Sequence, residues 1–299
     1  MMKVLITGCN GQVGTELMGL ATDYGIDAVG VDVAELDITA AAAVATALEQ
    51  HQPQAVINAA AYTAVDKAEA EPNIAWAVNR DGPANLAAAC AQRGIPLLHI
   101  STDYVFDGRK QGAYAETDAV RPLGVYGASK LAGDVAVQEA CKQSIILRTS
   151  WVFSAHGNNF VKTMLRLGQD REELSVVSDQ LGCPTAAREI ARTLYTMLVA
   201  NSTAGDNACW GTYHFCQPAP VSWFGFAEAI FTEARSQGEV LQLRTVRPIT
   251  TQEYPTAAKR PLNSVLDCSQ IKKDFNLTIK PWRESLAEVI NELGLRTED

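Results

Sequence analysis

The stretch TGCNGQVG at residues 7–14 decides the fold, because its glycines are spaced G-x-x-G-x-x-G directly after an apolar run at residues 3–7. Gly8 permits a tight turn, Gly11 lets the backbone approach a pyrophosphate, and Gly14 lets the following helix pack closely on the strand. A helix that begins at Gln12 would offer its N-terminal N–H groups and positive dipole end to the phosphates. The stretch therefore predicts the first strand-turn-helix unit of a dinucleotide-binding fold.

Outside this loop, short β-branched runs alternate with longer alanine-rich stretches through the first half of the chain. The pattern predicts strands at residues 4–7, 28–32, 55–58, 97–101 and 145–149, and helices at 12–22, 39–50, 76–93 and 126–141. Thr39 is the predicted N-cap of the second helix. Such alternation is typical of an α/β fold with a Rossmann-like, doubly wound parallel sheet, whose ligands lie beyond the carboxyl ends of the strands.

The rhythm changes after Thr149, where polar, aromatic and turn-rich segments become frequent. We predict a dinucleotide-binding Rossmann domain at residues 1–150. Residues 151–299 are predicted to form mainly a smaller α/β substrate-binding lobe that partly interleaves with it. In this lobe we expect helices at 187–200, 222–235 (capped by Ser222) and 281–293, a strand at 213–216, and an irregular segment at 244–261.

The composition of the chain argues against some binding partners and favours one cellular compartment. The chain has 299 residues and a net charge of −9, which argues against nucleic acid or an anionic membrane as partner. The seven cysteines are widely spaced without a C-x-x-C pair, as expected for reduced thiols in the cytoplasm. The four histidines are scattered, so we predict no metal cluster. Neither a signal peptide nor an apolar run of membrane-spanning length is found.

The cofactor prediction depends on the residues that follow the second and third strands. Asp32 stands where a carboxylate can accept hydrogen bonds from an adenosine ribose, and it would repel the 2′-phosphate of NADP. No arginine in the glycine loop offsets that charge, so NADH is favoured and use of both NADH and NADPH stays open. Asp37 and Ile38 are expected on the adenine side. The small residues at 59–61 would let the backbone pass close to a flat ligand.

The predicted reaction centre combines Tyr126 and Lys130 with Thr102. On a helix, residues four apart share a face, so the phenol and the ammonium can converge on one site. The pKa of a free tyrosine is near 10, and a nearby lysine cation together with an oxidised nicotinamide would lower it. Lys130 can also bind the nicotinamide ribose. Thr102 directly follows the fourth strand, where its hydroxyl can bind the same carbonyl oxygen that Tyr126 protonates as hydride arrives at carbon.

These motifs resemble the extended short-chain dehydrogenase/reductase family. Within it they are most similar to enzymes that reduce the 4-keto group of a dTDP-linked 6-deoxy sugar with NAD(P)H, in the synthesis of surface polysaccharides. The matching stretches are GQVG at 11–14, NAAAYTAVDKAE at 58–69, STDYVFDG at 101–108, ETD at 116–118, PLGVYGASKLAG at 122–133, RTSWVF at 148–153, GNNFVKTMLRL at 157–167, SVVSDQLGCPT at 175–185 and RPLNSVLD at 260–267. Those beyond residue 150 carry the most information, since simple Rossmann proteins lack them.

The resemblance assigns roles to particular residues. It implies that Tyr126 is the proton donor, with Lys130 as its partner and Thr102 as a tuning hydroxyl. It implies that the sugar nucleotide contacts Thr102, Asp103 and Trp151. Together with the glycine loop, it implies that the dinucleotide contacts Gly8, Gly11, Gln12, Val13, Gly14, Asp32, Asp37, Ile38, Ala61, Tyr62, Thr63, Tyr126 and Lys130.

One departure from the family concerns a metal-bridged dimer. Some bacterial members dimerise through magnesium held by glutamates, one of which would follow Thr185. Ala186, Ala187 and Arg188 stand there instead, and Glu189 comes one position late. The sequence therefore argues against the magnesium bridge, while a homodimer stays open.

Several alternatives stay open on the sequence alone. Dehydratases of this fold need an acid/base pair after the threonine, usually Asp-Glu. Here Asp103 is followed by Tyr104, so the glutamate is missing and the sequence argues against a dehydratase. An epimerase, a reductase of another nucleotide-linked 4-keto sugar, and a non-catalytic subunit resembling the regulatory subunit of methionine adenosyltransferase remain. The cations that would hold the substrate diphosphate are also open, with Lys162, Arg166 and Arg260 as candidates.

Overall fold

The computed structural model describes residues 1–295 and has the predicted α/β architecture. Its strands are β1 (Met2–Thr7), β2 (Ile26–Val31), β3 (Ala55–Asn58), β4 (Leu97–Thr102), β5 (Ser144–Thr149), β6 (Val152–Phe153), β7 (Glu173–Val177), β8 (Leu181–Gly182), β9 (Thr185–Ala186), β10 (Gly211–His214), β11 (Val221–Ser222) and β12 (Thr245–Ile249). Its helices are α1 (Gln12–Leu20), α2 (Ala41–His51), α3 (Val65–Ala70), α4 (Pro72–Trp76), α5 (Gly82–Arg93), α6 (Val125–Ala140), α7 (Phe160–Asp170), α8 (Ala187–Ala204), α9 (Trp223–Ser236), α10 (Ser269–Phe275) and α11 (Trp282–Leu295).

The main sheet has six parallel strands in the order β10-β5-β4-β3-β1-β2. Strands β3 and β5 are buried along their whole length, as expected where helices cover both faces of a parallel sheet. From β1 the chain moves outward to β2, then returns to β3 on the other side of β1. The crevice at this reversal, beyond the carboxyl ends of β1 and β3, is where a doubly wound sheet binds its ligand.

Residues beyond 150 contribute to two hydrophobic cores. Strand β10 joins the main sheet, and Ile190, Leu194 and Tyr195 of α8 are buried in the same cluster as Leu17 of α1. A separate cluster contains Phe226 of α9 and residues of α7 and α11. The division at residue 150 stays a prediction, and residues 296–299 of the predicted lobe lie outside the described residues.

Three local predictions are wrong. Thr39 does not cap α2, whose N-cap is Ala40, because the Thr39 hydroxyl is bound to Asp37 Oδ1 at 2.7 Å. The helix predicted at 76–93 is divided by a π-helical turn at Ala77–Asp81, where buried Asn79 binds the backbone of Tyr62 through both ends of its amide. The segment 244–261 contains β12, an exposed strand that pairs with β7.

The Ser222 cap is confirmed, since its hydroxyl accepts a hydrogen bond from the Gly225 N–H at 3.1 Å. Within the described part of the chain, no helix combines the length and the apolar character that crossing a membrane requires.

Candidate active site

A cavity of about 490 Å³ lies at the carboxyl edge of the main sheet. Its wall comes from segments that follow β1, β3, β4 and β5 and from α6, so residues far apart in sequence meet here. The predicted site residues that line it are Gly11, Gln12, Val13, Ala61, Thr63, Thr102, Asp103, Tyr126, Lys130 and Trp151. The sheet therefore brings the predicted cofactor loop, reaction centre and substrate residues together in one space.

The glycine loop has the geometry that its spacing predicts. Gly8 has a φ of 68°, in the left-handed region that favours glycine. A Cβ on Gly14 would lie 2.1 Å from the Gly8 carbonyl oxygen, so only glycine allows α1 to approach the loop this closely. No side chain caps the N-terminus of α1, and the cavity begins at Gly11. These features fit the pyrophosphate of a dinucleotide.

Asp32 lies beside the glycine loop and outside the residues that line the cavity. Its Oδ2 accepts a hydrogen bond from Asn10 N–H at 3.0 Å, and its Oδ1 accepts one from Val33 N–H at 2.8 Å. Glu35 lies against it, because Glu35 Oε2 accepts from the Asp32 N–H at 3.0 Å. Both carboxylates raise the pKa of the Cys9 thiol, after the larger effect of burial, so this corner carries a negative potential.

Three predicted cofactor residues, Asp37, Ile38 and Tyr62, are not among the residues that line the cavity. Asp37 Oδ1 is bound by the backbone and hydroxyl of Thr39, and those bonds lower its pKa. Ile38 is only 5% exposed and packs in the core against Gly82. The Tyr62 hydroxyl is hydrogen-bonded to Glu71. Any cofactor contact by Ile38 would have to involve its backbone.

Tyr126 lies in the first turn of α6, and the start of that helix is held from outside. Glu69 Oε1 accepts a hydrogen bond from the Val125 N–H at 2.8 Å, which supplies the cap that α6 lacks locally. The ring of Tyr104 packs edge-on against Tyr126 with centroids 5.4 Å apart. These contacts hold the phenol at the cavity wall.

The predicted lowering of the Tyr126 pKa is wrong for the protein without ligands. Burial raises the pKa of Tyr126 well above its ordinary value, and a hydrogen bond with Thr102 opposes this only partly. Lys130 Nζ does not lower it, because that atom contacts Ile100 O at 2.7 Å and His99 Nε2 at 3.2 Å. A raised pKa keeps the phenol protonated, which is the state that a proton donor requires.

Thr102, the last residue of β4, and Asp103 line the cavity and are 5% and 2% exposed. The Thr102 hydroxyl donates to Asp103 Oδ1 at 3.0 Å and accepts from the Tyr104 N–H at 3.2 Å. Burial raises the pKa of Asp103 to about 6, although the hydrogen bond from Thr102 opposes the shift. Keeping the Asp103 carboxyl ionised in this buried position therefore lowers the free energy of unfolding.

Asp103→Asn is expected to stabilise the fold at neutral pH. The folded-state pKa of about 6 lies above the ordinary aspartate value of 3.8, so ionisation of Asp103 destabilises the fold as pH rises between these values. Above pH 6 the asparagine variant should exceed the wild type by about 2–3 kcal/mol in the free energy of unfolding. Below about pH 4 the difference should vanish. Denaturant titrations across this range measure it, and a pH-independent difference would contradict the assignment.

Trp151 follows β5 and has a φ of 48°, which is unusual for a residue with a side chain. Its ring stacks on Trp223 with centroids 3.5 Å apart and an interplanar angle of 6°. It also covers Gly182, where a Cβ would lie 2.4 Å from the indole. The unusual backbone and the packing against Trp223 and Gly182 fix the indole of Trp151 at the cavity wall.

The three candidate cations for the substrate diphosphate are Lys162, Arg166 and Arg260. None of the three is among the residues that line the cavity. Lys162 Nζ donates to Ala155 O, and Arg260 binds Asp66 at 2.6 Å and the Tyr104 hydroxyl at 3.2 Å. Arg260 is connected to the site through Tyr104, which lines the cavity.

Sequence reasoning missed part of the site. Val65, Gly157 and Asn158 also line the cavity; they lie in the matching stretches 58–69 and 157–167, but no role was predicted for them. A buried polar group behind Lys130 was missed as well; it contains His99, Asp134 and Arg148. A signal for His99 was available, since it interrupts the apolar run of β4.

The structure places the off-register glutamate in ion pairs. Glu189 Oε1 lies 2.7 Å from Arg192 and 3.3 Å from Lys280. Across residues 1–295, no group of three or more His, Cys, Asp or Glu side chains is arranged to hold a metal ion.

The family described as "RmlD substrate binding domain" matches residues 2–295. The chain belongs to this family. The membership agrees with the resemblance drawn from the motifs, and it spans the glycine loop, the cavity and the carboxyl-terminal lobe together.

Relatives of this RmlD-family chain match over almost their whole length. A dTDP-4-dehydrorhamnose reductase of Aggregatibacter actinomycetemcomitans is 45% identical over 290 residues, which is 97% of this chain and 98% of the relative. A crystal structure of the dTDP-4-dehydrorhamnose reductase of Clostridium acetobutylicum has a TM-score of 0.89 and 39% identity, covering 98% of this chain and all of that one. That of Bacillus anthracis, in complex with NADP, has a TM-score of 0.90 and 38% identity, with coverage of 98% and 100%.

Proposed function

We propose that this chain is a dTDP-4-dehydrorhamnose reductase, which reduces the C4 keto group of dTDP-4-dehydrorhamnose to give dTDP-L-rhamnose. The observation that carries the proposal is the meeting of Tyr126, Lys130 and Thr102 with the glycine loop in one cavity. Family membership and full-length relatives of that name support the choice of substrate.

The residues of the cavity divide the work of the reaction. A nicotinamide cofactor supplies the hydride when bound, and the glycine loop and the start of α1 would hold its pyrophosphate. Tyr126 donates its phenolic proton to the carbonyl oxygen of the sugar, which thereby becomes a hydroxyl group. Thr102 binds the same oxygen once its hydroxyl turns from Asp103. Lys130 stabilises the negative charge that develops on Tyr126.

We propose NADH as the preferred cofactor, with NADPH also used. Asp32 and Glu35 lie together at the end of β2, where the adenosine ribose of a doubly wound fold is bound. Two carboxylates there disfavour a 2′-phosphate by charge repulsion. The Bacillus anthracis relative was crystallised with NADP, so use of both cofactors within the family is expected.

Asp32→Ala is expected to move the cofactor preference towards NADPH by about tenfold. This is the effect expected from removing one charge repulsion near the surface. The ratio of kcat/KM for the two cofactors measures it. Asp27→Ala is the matched control. It removes the same charge, but Asp27 lies at the opposite end of β2. An unchanged ratio in Asp32→Ala, or an equal change in both variants, would remove Asp32 from the ribose site.

The direct test of the function is turnover. Purified protein is mixed with dTDP-4-dehydrorhamnose and NADH or NADPH, and loss of the reduced nicotinamide absorbance is followed. Formation of dTDP-L-rhamnose confirms the proposal. Binding of dinucleotide without turnover would instead favour the regulatory-subunit alternative, and turnover only with another 4-keto sugar would favour the sister reductase.

We also place the protein in the cytoplasm. All seven cysteines are free, which suits a reducing compartment. A nucleotide-sugar substrate suits the same compartment, and a homodimer stays a prediction whose test is the mass in solution.

A further inference from the structure

Two carboxylates of the short helix α3 bind other segments of the chain. Asp66 and Glu69 stand three positions apart, so they lie on one face of this helix. Both belong to the matching stretch at residues 58–69, and no step of the proposed reaction uses them. Charged side chains outside the core are usually solvated, so the specific bonds that these two make need an explanation.

Glu69 caps the helix that carries Tyr126. Its Oε1 accepts a hydrogen bond from the Val125 N–H at 2.8 Å. The N-cap of α6 is Gly124, which has no side chain, and no acidic residue lies in the first turn of α6. A Cβ on Gly124 would lie 2.5 Å from Glu69 Oε1, so the glutamate stands where a local capping side chain would begin. The start of α6 therefore depends on a residue from α3.

The capped position lies directly beside the proton donor. On the other side of Tyr126, Gly127 packs so closely that an added Cβ would lie 2.2 Å from the Tyr104 carbonyl oxygen. The N-terminal side has no such backbone contact from the helix itself, and a first helical turn frays when its N–H groups lack acceptors. Glu69 thus acts at the end of α6 that needs an acceptor.

Small movements of this turn matter for the reaction. A general acid must lie within hydrogen-bond distance, about 2.6–3.2 Å, of the atom that it protonates. A displacement of about 1 Å can lower the rate by about 100-fold. The phenol of Tyr126 begins one residue after the N–H that Glu69 binds, so the cap and the proton donor move together.

The helix that carries Glu69 is itself anchored. It has six residues, too few to be stable as an isolated helix. Asp66 Oδ1 accepts the Ala258 N–H at 3.1 Å, and Asp66 Oδ2 pairs with Arg260 Nη2 at 2.6 Å. Ala68 is buried, and α3 packs against α6. These contacts fix Glu69 relative to the helix that it caps.

We propose that Glu69 is a positioning residue for Tyr126: by accepting the Val125 N–H it holds the first turn of α6, so that the phenol meets the carbonyl oxygen of the sugar. Asp66 supports it by tying α3 to Ala258 and Arg260. The position of the proton donor thereby depends on a segment beyond residue 150. The catalytic consequence rests on the proposed function, whereas the position of the Tyr126 ring does not.

The first test separates the hydrogen bond from the charge. Glu69→Ala removes the acceptor and should lower kcat by about 10–100-fold, with the NADH dissociation constant within about twofold. Glu69→Gln keeps an acceptor oxygen and should retain kcat within about threefold, since a neutral acceptor is weaker than a charged one. Equal losses in both variants would show that the charge acts, and the proposal would fail.

The matched control is Glu139→Gln. Glu139 is exposed near the opposite end of α6, so the variant removes the same charge from the same helix far from Val125. Its kcat should equal that of the wild type. A loss as large as that of Glu69→Ala would assign the effect to the net charge of α6 and overturn the proposal.

A second comparison excludes a merely structural role. In the Tyr126→Phe background the proton donor is already absent, so adding Glu69→Ala should lower kcat by no more than about twofold. If the same factor is lost in both backgrounds, Glu69 acts on the whole fold and not through Tyr126. That result would refute the positioning role.

Asp66→Ala tests the link to the segment that contains Ala258 and Arg260. It should lower kcat less than Glu69→Ala, because α3 still packs against α6. It should add nothing when Glu69 is already alanine. A loss that is additive with Glu69→Ala would show that Asp66 acts by another route, and the link would be overturned.

The closing experiment needs no turnover. In protein with ¹³C-labelled tyrosine, the Tyr126 ring signals are those lost in Tyr126→Phe. Glu69→Ala should shift these signals, while Glu69→Gln and Glu139→Gln should leave them near their wild-type positions. Unshifted signals in Glu69→Ala would overturn the proposal even if the protein reduces the sugar. Shifted signals in a protein without turnover would reject the reductase function and leave the positioning of the Tyr126 ring standing.

Discussion

Tyr126→Phe is expected to lower kcat by about 10²–10⁴-fold, the usual contribution of a general acid. The substitution removes the hydroxyl that would protonate the carbonyl oxygen and keeps the ring. Because the ring still packs against Tyr104 and the glycine loop is untouched, the dinucleotide dissociation constant should stay within about twofold. Stopped-assay kinetics and fluorescence titration with NADH measure the two quantities.

Tyr104→Phe is the matched control for this result. Tyr104 also lines the cavity and contacts Tyr126, but its hydroxyl faces Arg260, 3.2 Å away. Its loss should change kcat by less than about tenfold, since it removes one hydrogen bond outside the reaction centre. Equal losses in both variants would show that the phenol of Tyr126 acts through packing, and lost NADH binding in Tyr126→Phe would make it a structural residue.

The parts of the fold and site that the sequence predicts are those set by local rules. The glycine loop is predictable because Gly14 faces backbone atoms of the loop itself, and Gly8 faces the backbone that directly follows β3. Tyr126 and Lys130 share a face through helical periodicity alone. Thr102 follows a strand, and parallel strands end at one edge of the sheet.

The parts that were missed depend on contacts between distant segments. Spacing places Ile38 near the adenine side, but it cannot show that its side chain packs into the core against Gly82. Strand β12 is mostly exposed, contains Pro248 and lies in a two-stranded sheet with β7. Its sequence therefore does not show the apolar alternation that predicts a strand. The raised pKa of Tyr126 follows from burial, which no spacing reveals.

The contacts of Lys130 Nζ show the same limit at the level of chemistry. A Y-x-x-x-K spacing predicts that a cation faces the phenol. The structure places Nζ instead between a backbone carbonyl and a histidine from β4, in the direction of the sheet. The position of Lys130 Nζ therefore depends on residues of β4 that lie 30 and 31 positions earlier in the chain.

The expected effect of Gly14→Ala is loss of dinucleotide binding. The new Cβ would lie 2.1 Å from Gly8 O, 2.7 Å from Cys9 Cα and 2.9 Å from Cys9 C, and all three are backbone atoms that no rotamer change can move. Either α1 or the loop must shift, and both belong to the proposed pyrophosphate site. If about 3 kcal/mol of overpacking strain falls on the binding geometry, NADH affinity drops by about 100-fold.

Gly19→Ala separates this effect from a general change in α1. Gly19 lies in the same helix, and a Cβ added there would have no atom within 4 Å. The Gly19→Ala variant should therefore bind NADH normally. It should also raise the free energy of unfolding by about 0.5–1 kcal/mol through helix propensity. Isothermal titration with NADH compares the two variants. Normal affinity in Gly14→Ala would mean that the cofactor does not depend on the close contact between α1 and the loop, and the dinucleotide would then have to bind elsewhere in the cavity.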